Sequence, residues 1–149
     1  MPSDNSDEGL LTKADGVQAV VSRPLDGVRV LLIDDSPDMR ELFATILTDA
    51  GAEVRAAGDG KEAMRTVIQW PPSVVVSDLV LPGTNGITLL YELRSMQHVR
   101  QIPAIAVSGR ASDSDRAAAF AAGFQEHVGK PLEPDQLVAL VKRWAAMAR

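Results

Sequence analysis

Five polar residues stand at the ends of short apolar runs in this sequence. Asp34 and Asp35 follow VRVLLI, Asp78 follows SVVVS, Ser108 closes PAIAVS, and Lys130 follows QEHVG. Taken singly, each reads as an ordinary boundary residue, with Asp34 or Asp35 helping to cap a following helix. Gathered together, three carboxylates about 4 Å apart would repel by roughly 4 kcal/mol per pair at an effective dielectric near 20, so something positive must sit among them. Lys130 supplies one charge. A carboxylate-rich, all-oxygen pocket also suits a hard divalent cation, and Mg²⁺ binds through one or two carboxylates plus waters and phosphate oxygens. A metal beside a carboxylate, with an ammonium and a hydroxyl opposite, is a layout for phosphoryl transfer, in which catalysis is mainly positioning and charge neutralisation. Asp78 is then the natural nucleophile.

Those residues meet only if the elements before them are parallel strands of one sheet. From residue 28 onward, short β-rich apolar runs alternate with longer helical ones, the signature of repeated βα units. Strands are expected over 28–34, 52–57, 73–78, 103–108 and, more weakly, 125–129. The first, third and fourth are nearly continuous apolar runs, as central strands covered on both faces should be. Between them the apolar period is that of a helix. Met39, Leu42, Phe43, Ile46, Leu47 and Ala50 share one stripe, with Ser36 as N-cap, Pro37 at the first helical position and Gly51 beyond the end. Asp59-Gly60-Lys61-Glu62 resembles a capping box, and Pro71-Pro72 ends the helix it opens. A third helix is expected from Gly86 to Gln97 with Leu89, Leu90 and Leu93 inward. An Ala-rich fourth runs from Ser112 to Ala122 before Gly123, and a last one places Leu137, Leu140, Val141, Trp144 and Ala148 on one face. Five βα units make a three-layer α/β sandwich, and ligands of such sheets bind at the carboxyl ends of the strands.

Bulk composition bounds the function. One domain with one core fits 149 residues of which 46% are apolar. Without cysteine there is neither a disulfide nor a thiolate metal site. A net charge of −5 argues against direct nucleic-acid binding. The N-terminus has no basic n-region or apolar h-region, and no apolar run is long enough to span a membrane, so the chain reads as cytoplasmic, with no membrane contact. Residues 1–27 lack a sustained period and read as a mobile N-terminal tail, in which LLTKADGVQAVV could form a short helix; residues 28–149 are the domain. Trp70 and Trp144, near helix ends, read as core or rim packing, and His98 as a solvated helix-end residue.

The segments VLLIDDSPDMRELF, VVVSDLVLPGTNG, Ser108-Gly109 and GFQEHVGKPL together resemble the receiver domain of two-component response regulators, over about residues 28–147. The resemblance implies a flavodoxin-like, doubly wound (βα)₅ sheet of strand order 2-1-3-4-5. It implies Asp78 as phosphoacceptor, Asp35 as a direct Mg²⁺ ligand, Asp34 as a ligand mainly through water, and the Val80 carbonyl as a further ligand, with Mn²⁺ a workable substitute. Ser108 would bond one phosphoryl oxygen and Lys130 another, and Lys130-Pro131 would be a cis peptide. Pro82 and Gly86 match the turn after the acceptor strand. The family often has Thr at the Ser108 position, and Ser keeps the hydroxyl. Where the family commonly has a Tyr or Phe that swings inward on phosphorylation, this chain has His127; the alternatives are a switch position or a partly exposed edge-strand residue. The Ala-rich fourth helix is either simply a good helix former or part of a docking face.

The resulting expectation is a phosphoacceptor signalling module that is not an enzyme beyond its own phosphorylation and dephosphorylation. Its partners would be a sensor histidine kinase or histidine phosphotransfer protein and a downstream protein, with a homodimer as an open alternative. The last helix ends close to Arg149, which leaves no effector domain in the chain. Two other readings share the sheet. A haloacid-dehalogenase-like phosphatase or phosphotransferase would need a second Asp two residues after the nucleophile, where Val80 stands. A flavodoxin-type nucleotide binder would need a Gly-, Ser- or Thr-rich phosphate loop after the first strand, where Asp34-Asp35-Ser36-Pro37-Asp38 would repel phosphate.

Overall fold

A computed structural model describes residues 23–97, 99–109 and 112–147, and the backbone of 10–11 and 19–20. Five strands, β1 (Arg29–Ile33), β2 (Glu53–Ala57), β3 (Val74–Asp78), β4 (Ala104–Ser108) and β5 (Glu126–Gly129), form one sheet in the order β2-β1-β3-β4-β5. Every neighbouring pair is parallel. This is the flavodoxin-like topology expected from the sequence. Four helices make the crossovers, α1 (Pro37–Asp49), α2 (Gly60–Gln69), α3 (Gly86–Arg94) and α4 (Asp113–Ala122), and α5 (Pro134–Met147) follows the last strand.

Side chains alternate along each strand, so the sheet divides the core in two. Val30, Leu32, Val74, Val76, Ile105 and Val107 meet Phe43 and Leu47 of α1 and Leu137 and Val141 of α5. Leu31, Ile33, Val75, Ala104 and Ala106 face the opposite way, against α2, α3 and α4. Covered on both faces, β1, β3 and β4 are almost wholly buried, whereas the edge strand β2 leaves Glu53, Arg55 and Ala56 exposed.

The local start and stop signals act as the sequence suggests. Ser36 accepts the amide of Met39, Asp59 that of Glu62, Asn85 that of Thr88 and Ser112 that of Asp115, each satisfying an amide that has no partner within its own helix. Glu62 reaches back past the N-cap to accept the Gly58 amide, a variation on the capping box. Gly123 ends α4 with a φ of 110°. Trp70 is buried beneath the guanidinium groups of Arg29 and Arg55, whose Cζ atoms lie 5.2 and 5.0 Å from its ring centre.

Two boundaries differ from the sequence reading. α3 stops at Arg94 rather than Gln97, because its last carbonyls are taken up by the Ser95 amide and the chain turns through Met96. The tail was drawn to residue 27, yet Leu25 is fully buried and its amide donates to the Ala50 carbonyl at 2.8 Å, so residues 23–27 are packed as a turn against the end of α1. Leu10–Leu11 and Ala19–Val20, in the segment read as a mobile tail that could form a short helix, pair as a two-residue antiparallel ladder. The remainder of that segment, His98 and Ala148 lie outside the described residues. Among the described residues no helix is long and apolar enough to cross a membrane.

Candidate functional site

The register of the sheet brings the polar residues together. Ile33 pairs with Ser77, so Asp34 emerges beside Asp78; Asp78 pairs with Val107, one residue before Ser108; and Ser108 pairs with Gly129, one before Lys130. Four strand ends therefore deliver their polar residues to one edge. The Lys130 amide donates to the Ser108 carbonyl at 2.8 Å, which extends the ladder as far as the lysine itself. Its peptide bond to Pro131 is cis.

Oxygens of Asp34, Asp35 and Asp78 lie within 4.8 Å of one another. Lys130 spans two of them, with Nζ 3.1 Å from Asp34 Oδ2 and 3.0 Å from Asp78 Oδ2. Burial by itself pushes this ammonium's pKa down, but the hydrogen bonds and charges of Asp78 and Asp34 outweigh it, and the net shift is upward. Asp34 is 2% exposed, and its other oxygen, Oδ1, accepts the Ser36 amide at 3.0 Å. Asp35 is exposed. Asp78 Oδ1 accepts the Val80 amide at 3.0 Å, which fixes the carboxylate against the turn that follows it.

That turn is built by Pro82 and Gly83 between the paired residues Val80–Leu81 and Thr84–Asn85, with Gly83 at a φ of 73°. Gly86 then approaches the end of β3 so closely that a Cβ there would lie 2.3 Å from the Asp78 carbonyl oxygen. Only glycine lets α3 start directly behind Asp78. Ser108 is buried at the end of β4, beside an open cavity of about 370 Å³ lined also by Val80, Asn85, Thr88 and Asp115. His127 pairs with Ala106 on the edge strand and is 3% exposed, so it is buried rather than partly exposed: the inner face of β5 is covered by α4. The His127 carbonyl accepts from Arg116 of α4 at 2.9 Å.

The donor set fits a hard divalent cation. It is oxygen only, with one carboxylate buried, one exposed and one between, at an edge open to solvent. Asp34, Asp35 and Asp78 are the residues that would hold it, with Lys130 as the fixed counter-charge on the inner side.

The response regulator receiver domain matches residues 30–142 of this sequence. The chain belongs to that family. It is a receiver domain of two-component regulatory systems. It is 36% identical over 115 residues to an uncharacterised 14.6 kDa protein of Leptolyngbya boryana, covering 77% of this chain and 88% of that one. To the transcriptional regulatory protein GltR of Pseudomonas aeruginosa it is 31% identical, over 78% of this chain but 48% of the relative, about half its length. The solved receiver domain of the Francisella response regulator 1452 superposes with a TM-score of 0.77 at 27% identity, covering 83% of this chain and all of that one.

Two arginines, one beside the site and one remote from it, were not singled out from sequence. Arg40 of α1 donates to the Asp34 carbonyl at 2.8 Å. The signal for it was a cation in the fourth position of a helix, against the favoured sign of the helix dipole. Arg94 of α3 collects the carbonyls of Val99, Ile102 and Gly123 and the side chain of Gln125, lacing two loops at the opposite edge of the sheet. Nothing local marks it, since all its partners are loop atoms gathered by the fold.

Proposed function

We propose that Asp78 is the phosphoacceptor and that Mg²⁺, or Mn²⁺ in its place, is held by Asp34, Asp35, Asp78 and the Val80 carbonyl. The observation that carries this is the placement of Asp78 Oδ2 3.0 Å from Lys130 Nζ within a cluster of three carboxylates at the strand ends. In the transfer, an Asp78 oxygen forms a bond to phosphorus as the donor's bond breaks, and the leaving group takes its electron pair. Mg²⁺ held by those residues would supply charge neutralisation for the transferring group. Lys130 can pair with a phosphoryl oxygen once Asp78 carries the acyl phosphate, and Ser108 can donate to another. His127, buried two strands away from Asp78 with β4 between them, would report the modification.

The donor would be a sensor histidine kinase or a histidine phosphotransfer protein, and output would pass through a downstream protein or onward transfer of the phosphoryl group. Catalysis is confined to the protein's own phosphorylation and dephosphorylation, because Val80 supplies no general acid beside Asp78. The net charge of −5 supports a protein rather than a nucleic-acid partner, and a cytoplasmic setting follows from such donors.

Intact mass after incubation with acetyl phosphate and Mg²⁺ tests the reading. Wild type should gain one phosphoryl group, EDTA should abolish the gain, and Asp78→Asn should not show it. Equal labelling of Asp78→Asn at the same rate would refute the assignment.

A further inference from the structure

Asp34 is held by three donors from three directions. The Ser36 amide takes Oδ1 at 3.0 Å, Lys130 takes Oδ2 at 3.1 Å, and Arg40 Nη1 takes the backbone carbonyl at 2.8 Å. The first two are a helix-start turn and an ion pair. The third is unusual, because a guanidinium is spent on a main-chain oxygen at the helix end where the dipole disfavours a cation.

The strand end next to it is shaped to receive that guanidinium. At Gly58, immediately after β2, an added Cβ would lie 2.8 Å from Arg40 Nη1 and 3.3 Å from its Cζ. The Gly58 amide donates to Glu62 Oε1 at 2.8 Å, so the loop is tied back to α2 in this form. The Asp34 amide in turn donates to the Ala57 carbonyl at 3.1 Å. Arg40 therefore lies across the ends of β1 and β2, on the flank of Asp34 away from β3.

We propose that Arg40 is a positioning residue for the cation site. By fixing the Asp34 carbonyl it holds the turn that carries Asp34 and Asp35, so their carboxylates are presented at the strand edge in the geometry a divalent cation needs. This rests on the reading of Asp34, Asp35 and Asp78 as that site. Partners that orient metal ligands through a second layer of hydrogen bonds are worth about 10- to 100-fold in metal affinity. Charge alone predicts the opposite sign, since removing a cation from beside a cation site should tighten binding.

The sign of the effect makes the test. Mg²⁺ is titrated into the full chain at constant ionic strength and followed by amide chemical shifts of Asp34 and Asp35. Wild type is compared with Arg40→Met, Arg40→Lys and Gly58→Ala, the last of which pushes the guanidinium aside while keeping its charge. Arg40→Met should weaken binding about 10-fold. Gly58→Ala should weaken it in the same direction, Arg40→Lys should fall between, and the double variant should be no weaker than Arg40→Met alone. Labelling by acetyl phosphate at saturating Mg²⁺ should stay within about twofold of wild type, which a general loss of structure would not allow. Unchanged or tighter Mg²⁺ binding in both Arg40→Met and Gly58→Ala would overturn the proposal. Absence of Mg²⁺ binding by wild type would instead sink the cation-site reading itself.

Discussion

Replacing Lys130 with methionine removes the cation that bridges Asp34 and Asp78. Two carboxylates within 4.8 Å then face each other unshielded, a repulsion of about 3 kcal/mol at an effective dielectric near 20. Removing one partner of a buried ion pair costs about 3–5 kcal/mol. Lys130 and Asp78 keep 21% and 10% side-chain exposure, and solvent screening brings the expectation to about 2–3 kcal/mol. The assay is urea unfolding of both proteins at pH 7.5, once with EDTA and once with saturating Mg²⁺. The deficit should be full in EDTA and should shrink with Mg²⁺, because the metal replaces the missing charge; Mg²⁺ should therefore stabilise Lys130→Met more than wild type. The pH dependence has a definite sign. The Lys130 pKa is raised by folding above its ordinary 10.5, so its contribution is fully present below that pH and is lost as the pH rises through the folded value. The difference between the two proteins should be flat through neutrality and close only in strong base. A Lys130→Met protein as stable as wild type in EDTA would refute the reasoning, as would a larger Mg²⁺ effect on wild type.

Two further outcomes follow. Arg94→Met should cost about 3 kcal/mol, since several buried carbonyls lose a charged donor together, while leaving Mg²⁺ affinity unchanged; urea unfolding and the Mg²⁺ titration separate the two. Gly86→Ala should cost about 3 kcal/mol or more and should abolish labelling of Asp78, because the new methyl meets the Asp78 carbonyl at 2.3 Å and Leu79 Cα at 2.9 Å, and neither backbone atom can move aside; unfolding and intact mass report on it.

Much of the fold was legible because its signals are short-range. Ser36-Pro37 starts α1 and Gly123 stops α4 through contacts within one or two turns. Continuous apolar runs marked β1, β3 and β4 as buried on both faces, and the burial pattern agrees. Where the reading slipped, a distant contact decided the outcome. Leu25 looks like part of a featureless tail until the end of α1 covers it. His127 sits in the weakest strand pattern, and its burial comes from α4 packing over β5. Gly58 gave no signal of its own, because what makes it special is an arginine on another element.

By itself the sequence determined the inventory: three acids, a hydroxyl and an ammonium, each at the end of an element that local pattern could identify. It also determined the family, through motifs that keep their order along the chain. Tertiary structure alone decided that Lys130 reaches both Asp34, 96 residues away, and Asp78, 52 residues away, and that Arg40 and Gly58 brace the same corner. The reason is physical. Capping and periodicity are satisfied within a few residues, whereas the field acting on a carboxylate depends on which charges the sheet register sets within a few ångströms of it.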